Sequence, residues 1–490
     1  MEHDNAPIEG TRDLLQADLA RSLGTKRLLQ DFLASYGYAS IDLPVLERTS
    51  LYLRKLGSRI AGSMFNLTDQ RGERLSLRPE LTASAIRAFM RRRQELVLPV
   101  RWQYCGPVFR DREAGDRLRQ FTQLGAELIG SGTRRADAEL LAVSCGGLQA
   151  LGLTRTRLVL GHAGLIPSVL DQIPLSERAR IYLAGHVDRL RTGPEGIDEL
   201  RRGLAERQLL AGDHLAPDAG AALAQRVLGE AESEGAVNLV GWLLSEGASR
   251  STGRRSTDQI VRRFQAKLHG PDDPQQLDRA LSLTQRLAAV RAAPREALAQ
   301  GRDVLISYGL GPGPLSELDA IVSLLDAQGV TGGTVEIDLG LTRALGYYTG
   351  IVFELYADSS APVPIAGGGR YDGLVRALGG ADDVPALGFA YTLEELETAL
   401  PPPPQGAKLT NTVLVVPESD AQMALAAQHM ETLRGGGLTC LLEVVDRTEE
   451  QRRRYCATHR ITRIDVVGPS GIREVAVKEL HKTYASAGAR

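Results

Sequence analysis

Cysteine is scarce: Cys105, Cys145, Cys440 and Cys456 are the four in 490 residues, far apart and without a CxxC pair. A zinc knuckle needs paired thiolates and a disulfide framework needs dense ones, so both are excluded, and a reducing compartment is the simpler setting. Long hydrophobic runs are missing too. No stretch approaches the ~18 apolar residues of a membrane span. The start, Met1 to Leu15, is acidic and broken by Pro7 and Gly10, unlike a secretory leader. The expectation is a cytoplasmic protein with no membrane contact. Charge of one sign is also lacking: Lys+Arg 58 against Asp+Glu 60 gives a net −2. No global basic excess advertises nucleic acid, so any such site must be local. There is no GxxxxGK[ST] and no HExxH, which leaves P-loop and zincin chemistry without support. No metal site is expected. Only six of the 58 basic residues are Lys, a bias that genome composition explains without function.

What is present is ordinary globular material, 43% hydrophobic and 24% charged, enough to build a core. At about 150 residues per domain the length implies two to four domains. Between Gly10 and Tyr36, apolar residues at Leu19, Leu23, Leu28, Leu29, Phe32 and Leu33 follow a 3.6-residue period and predict a helix of about 20 residues. Ile41–Glu47, Ser63–Thr68, Arg74–Arg78, Val100–Arg110 and Gln120–Gly130 read as strands separated by turn chemistry. The last two flank a polar loop, Asp111–Leu118, long enough to fold over a ligand. From about 152 to 328 leucine, alanine, arginine and glutamate recur at helical spacing, which predicts a mostly helical insertion. Strand signals return at Thr334–Leu339 and Gly350–Leu355. Pro401-Pro402-Pro403-Pro404-Gln405-Gly406 is a stiff hinge and marks a boundary. Beyond it strands and helices alternate as in a small α/β domain with parallel strands. The resulting division is 1–151, 152–328, 329–400, a linker at 401–406, and 407–490.

Four segments concentrate residues suited to a small zwitterion or a phosphate. Leu77-Arg78-Pro79-Glu80-Leu81-Thr82-Ala83 sets a carboxylate and a hydroxyl two residues apart, where both can reach an ammonium group, although a Glu at a helix start also serves as a cap. Arg110 precedes a run through Arg117, Arg119, Gln123 and Glu127. Arg110 can grip a carboxylate or phosphate bidentately, while Gln123 and Glu127 share one strand face. Arg343-Ala344-Leu345-Gly346-Tyr347-Tyr348-Thr349-Gly350 puts a guanidinium five residues ahead of a tyrosine hydroxyl. Ala366-Gly367-Gly368-Gly369-Arg370-Tyr371-Asp372-Gly373 lets backbone approach a ligand closely, or simply turns.

In this order the segments resemble the class II histidyl-tRNA synthetase family and its paralogue, the regulatory subunit of ATP phosphoribosyltransferase in histidine biosynthesis. The resemblance implies an α+β class II aminoacyl-tRNA synthetase-like core, an antiparallel sheet flanked by helices, with a helical insertion and a small C-terminal α/β domain like the anticodon-binding one. It also implies a homodimer built partly through residues 42–47. By resemblance the histidine pocket falls on Glu80, Thr82, Gln123, Glu127, Tyr348 and Tyr371: carboxylates and an amide for the α-ammonium, tyrosine hydroxyls for the imidazole. Arg110 and Arg343 match the arginines that contact the substrate carboxylate and the α-phosphate.

The departures fall on the nucleotide side. The family's second motif carries a Glu two residues after its Arg and an Arg-Pro-Gln before its Gly-Arg. Here Phe109-Arg110-Asp111-Arg112-Glu113-Ala114-Gly115-Asp116-Arg117 is one residue shorter and lacks Pro-Gln. The third motif, usually Gly-Leu-Glu-Arg, reads Tyr391-Thr392-Leu393-Glu394-Glu395-Leu396, with an acid in place of the arginine that binds the γ-phosphate. That exchange turns attraction for a polyphosphate into repulsion. The Gly and Asp of the family's RGLDYY are Ala344 and Gly346 here.

A pocket that keeps histidine contacts and loses nucleotide contacts suits a non-catalytic histidine-binding protein. By resemblance this is the regulatory subunit, partnered with the short-form phosphoribosyltransferase and needing no cofactor. Such subunits usually end after the third motif. The chain beyond Pro404 therefore argues for the alternative, a divergent histidine-tRNA ligase using ATP and Mg; a paralogue taking another amino-acid-like substrate is the third reading. Residues 407–490 hold 12 Lys+Arg and 10 Asp+Glu, a net of +2, a thin footprint for tRNA. Arg452-Arg453-Arg454 is the one basic patch there, and a solvated helix face explains it as well.

Overall fold

The computed structural model describes residues 6–53, 60, 62–111, 118–207, 209, 272–327, 333–343, 345–401, 412–459, 461 and 463–477. The chain divides into two compact units, Met1–Leu400 and Pro401–Arg490. Residues 112–117 of the loop after Arg110, Ala344, residues 210–271 of the middle region and 402–406 of the proline hinge lie outside the described residues.

The first unit opens with helix α1, Gln16–Ser35. Leu29 and Leu33 are buried on it, whereas Leu19, Leu23 and Leu28 are exposed, so only part of its apolar periodicity serves this unit's own core. Twelve strands follow among the described residues: β1 Ala39–Ser40, β2 Leu46–Arg48, β3 Asn66–Thr68, β4 Arg74–Leu77, β5 Val100–Phe109, β6 Gln120–Ile129, β7 Thr156–His162, β8 Arg291–Ala292, β9 Gly333–Asp338, β10 Ile351–Tyr356, β11 Ala366–Arg370 and β12 Ala386–Thr392. Three form a small antiparallel sheet, β2-β4-β3. The other nine make one sheet in the order β1-β5-β6-β12-β11-β10-β7-β9-β8. It is antiparallel except at β1–β5 and β7–β9, because those partners are joined by long crossovers rather than hairpins. Helix α2, Thr82–Arg91, leads toward β5, and helix α3, Arg134–Ala150, packs behind the sheet.

The middle region calls for a correction. Residues 152–328, expected to form a mostly helical insertion, supply β7, which is buried along its whole length and pairs with both β10 and β9. Its short apolar run, Leu158-Val159-Leu160, has no period that separates a buried strand from a helix. The described helices of this region also share the sheet's core. One cluster runs from Leu33 through Leu128 and Phe353 to Leu190, Leu281 and Leu318.

The glycine triplet, open to reading as a turn, is the central strand β11, buried at all five positions. Its neighbours leave no room for side chains: a Cβ at Gly368 would strike Phe389 and the Gly388 carbonyl on β12. At the end of β11, Arg370 is buried and bonds Asp137 of α3 (2.8 Å), Asp372 (3.0 Å) and the Ser131 carbonyl (3.0 Å). Burial raises the Asp137 carboxyl to about 6 despite that cation.

In the second unit β13 Thr412–Pro417, β14 Thr439–Leu442, β15 Arg463–Gly468 and β16 Gly471–Ala476 take the order β14-β13-β15-β16. The first three are parallel and β16 returns antiparallel. The helix Glu449–Thr458 starts on a capping box, Thr448 with Gln451. Two of its three consecutive arginines are engaged inside the unit, Arg452 with Glu443 (3.0 Å) and Arg453 with Glu449 (3.3 Å).

Arg370→Leu strands the buried Asp137 carboxylate, and removing one partner of such a pair costs about 3–5 kcal/mol. Urea denaturation at pH 8 should show a loss of that order. The loss should shrink at pH 5, where Asp137 takes up a proton; equal losses at both pH values would overturn the pairing as the cause.

Candidate functional site

The sheet's middle strands carry the site. Glu127 on β6 faces Gly388 on β12, and Glu354 on β10 faces Gly367 on β11. Both glycines are hollows that a side chain would fill: a Cβ on Gly388 would collide with the Glu127 carboxylate, and one on Gly367 with the Arg343 guanidinium. Above them opens a cavity of about 360 Å³, within the range of small-molecule sites.

Glu127 is fully buried. Its Oε1 accepts from the Thr82 hydroxyl (2.7 Å) and the Tyr104 hydroxyl (2.8 Å), and its Oε2 accepts from Tyr371. Burial still wins, pushing its carboxyl up to about 8 against those three donors. Glu80 is buried beside it and accepts from the backbone N–H groups of Thr82 (2.6 Å) and Ala83 (2.9 Å), capping α2. Burial raises its carboxyl as well. Tyr347, Tyr348 and Tyr371 pack ring against ring, with centroids 4.9–6.4 Å apart.

Around this floor stand the charged groups of the rim. Arg110 donates from Nε to the Pro79 carbonyl (3.0 Å) and lies over the Phe121 ring. Arg343 donates to the Phe353 carbonyl (2.9 Å), sits 3.5 Å from Glu354, and keeps a buried Nε with no partner. The short helix α4, Leu393–Ala399, brings in two acids. Glu394 accepts from the Thr122 backbone N–H (2.8 Å) and lies 3.8 Å from Arg12. Glu395 lines the cavity and makes no hydrogen bond or ion pair among the described residues. Four carboxylates, Glu80, Glu354, Glu394 and Glu395, thus line the cavity against two guanidiniums, Arg110 and Arg343.

All eight residues singled out in the sequence meet here. Glu80, Thr82, Arg110, Gln123, Arg343 and Tyr348 line the cavity; Glu127 and Tyr371 lie just beneath, bonded to each other and, through Glu127, to Thr82. Sequence reasoning missed Tyr104, Tyr347, Glu354 and Gly388. Tyr104 was within reach, since it alternates with the buried Trp102 along β5. Among the described residues no group of three or more His, Cys, Asp or Glu is placed to hold a metal ion, and no helix is long and apolar enough to cross a membrane.

A family profile described as histidyl-tRNA synthetase matches residues 10–213 and 235–396. The chain belongs to the histidyl-tRNA synthetase family. The histidine–tRNA ligase of Methanocaldococcus jannaschii is 25% identical over 476 residues, spanning 96% of this chain and 94% of that protein. The histidine–tRNA ligase of Pyrococcus horikoshii is 29% identical over 423 residues, 85% and 80% of the two chains. Among solved structures, an ATP phosphoribosyltransferase regulatory subunit/histidyl-tRNA synthetase from Bacillus halodurans superposes with a TM-score of 0.62 at 21% identity, covering 95% of this chain and 98% of that one. Histidyl-tRNA synthetase from Nostoc sp. PCC 7120 gives 0.60 at 17% identity, covering 98% and 99%. The fold is therefore the class II synthetase core of that family.

The buried carboxylate sets a pH dependence. Because Glu127 titrates near 8 in the folded protein against an ordinary 4.5, the folded state holds a proton that the unfolded chain has released, and stability falls as pH rises through that window. Glu127→Gln removes the ionisation. Its thermal midpoint should exceed that of the unsubstituted protein by several degrees at pH 9, at about 2–4 °C per kcal/mol, and the advantage should fade toward pH 4.5. A difference independent of pH would show that Glu127 does not carry the titration.

Proposed function

We propose that this chain is a histidine-binding regulatory protein, a synthetase-family member that senses the amino acid rather than activating it. One observation carries the reading. The floor, with Glu80, Thr82, Glu127 and the tyrosines, is built for a zwitterion, whereas the rim on α4 presents Glu395, a carboxylate with no partner among the described residues. An α-ammonium finds acceptors on the floor. A triphosphate meets four lining carboxylates and only two guanidiniums, and transition-state charge on phosphorus has little to stabilise it.

In this role the chain assembles with a short-form ATP phosphoribosyltransferase catalytic subunit, and histidine transmits feedback by binding two assembly states unequally. It acts in the cytoplasm as a homodimer. Exposed Val45 and Leu46 supply apolar surface for a second copy, and sedimentation as a monomer would overturn that part.

The second reading, a divergent histidine–tRNA ligase that uses ATP and Mg, is favoured by the match of the Methanocaldococcus jannaschii ligase along 96% of this chain. Calorimetric titration separates the two. Histidine should bind and ATP-Mg should not, and Glu80→Ala should weaken histidine at least tenfold, the loss of a charge-assisted contact of about 1.5–3 kcal/mol. Histidine-dependent ATP–pyrophosphate exchange would establish the ligase instead. Binding of neither ligand would mean that another amino-acid-like molecule occupies the pocket.

A further inference from the structure

Helix α2 begins at Thr82 in the cavity just described and ends at Arg91, about 15 Å away at 1.5 Å per residue. A second concavity, of about 780 Å³, opens at that far end between residues 89–95 and residues 375–384. Its floor is apolar: Phe89, Val375 and Val384 are buried side chains. Its rim carries three consecutive arginines, Arg91, Arg92 and Arg93. None of the three guanidiniums forms an ion pair among the described residues, whereas Arg87, one turn earlier on the same helix, is held by Glu47 at 2.9 Å. Arg93 lies over the Phe89 ring at 5.8 Å, and its Nε is buried without a hydrogen-bond partner.

The helix dipole accounts for one cation at a C-terminus, Arg91. It does not account for three, nor for a buried donor left without a partner among the described residues. Guanidiniums suit the oxygens of a phosphate group, and all three line the concavity. A volume of this order matches a small-molecule site. An extended phosphodiester backbone fits poorly, because it would pass the carboxylates Glu95 and Asp382 that also line the concavity.

We propose that this concavity is a second ligand site, taking a phosphorylated small molecule, its phosphate held by guanidiniums of the Arg91–Arg93 run. The site is separate from the histidine pocket and does not depend on the regulatory reading.

The test is calorimetric titration of the full chain with AMP, with adenosine and with inorganic pyrophosphate. AMP should bind, and adenosine, which lacks the phosphate, should bind at least tenfold more weakly. The double substitution Arg92→Ala with Arg93→Ala should weaken AMP at least tenfold while leaving the thermal midpoint unchanged. Arg93→Lys, which keeps the charge and loses the planar fork, should fall between. Thr82→Val, in the first cavity, should leave AMP binding as it was. No heat from AMP or pyrophosphate at millimolar concentration overturns the proposal. So does AMP binding that survives the double substitution or disappears in Thr82→Val. A tRNA affinity that falls in the double variant, with AMP unbound, would make the patch a nucleic-acid surface and equally overturn it.

Discussion

The carboxylate of Glu127 is the constraint on which the rest of the site depends. It is fully buried and reached by three hydroxyls from three different parts of the chain: Thr82 at the start of α2, Tyr104 on β5 and Tyr371 after β11. A buried polar network of this kind rigidifies only when every member is satisfied. Here the satisfaction fixes where α2 starts, which places Glu80, and where the tyrosine cluster stands. Position is therefore held tightly, while the charge state is left free to move, because burial puts the carboxyl near neutrality.

The floor and the rim follow different physics. The floor is a packed sheet surface in which Glu80, Thr82, Tyr104, Glu127 and Tyr371 are tied together by hydrogen bonds. The rim is made of longer side chains on α4 and on the segment around Arg343, where electrostatics is set by a few unscreened charges. The motifs that resemble the family's histidine pocket fall mainly on the floor. The rim carries the sequence's departures from the resembled motifs, Glu394 and Glu395 standing at the start of α4. Overall fold and ligand chemistry are thus argued from different residues.

Much of the fold was legible because it is local. The 3.6-residue period between Gly10 and Tyr36 gives α1, and the apolar run at Gly350–Leu355 gives β10. The alternation after the proline hinge gives the second unit, whereas the pairing of Arg452 and Arg453 within it was not legible from a run that reads as a solvated helix face. What stayed hidden is tertiary in origin. β7 is a buried strand amid helical sequence, and periodicity cannot separate those two cases in a short apolar run. β11 is built from glycines, poor strand formers, because its neighbours leave no space for side chains. The eight site residues could be chosen from motif order, but which of them face the cavity and which lie beneath it depends on strand register. Tyr104 and Glu354 reach the site from strands whose sequence looks like core. The unpaired state of Arg91–Arg93 has no sequence signal, since adjacency along the chain says nothing about the surface opposite.

Gly388 has a consequence for how proteins on this scaffold diverge. Any side chain there displaces Glu127, and with it the hydroxyls of Thr82, Tyr104 and Tyr371, so the floor changes all at once or not at all. Glu395 has no such ties among the described residues, and its charge can be reassigned by a single codon without disturbing a neighbour. Lineages can therefore shed or exchange the chemistry of the rim in single steps while the floor persists as an inherited fossil, keeping the outline of an ancestral ligand after the ancestral reaction has gone.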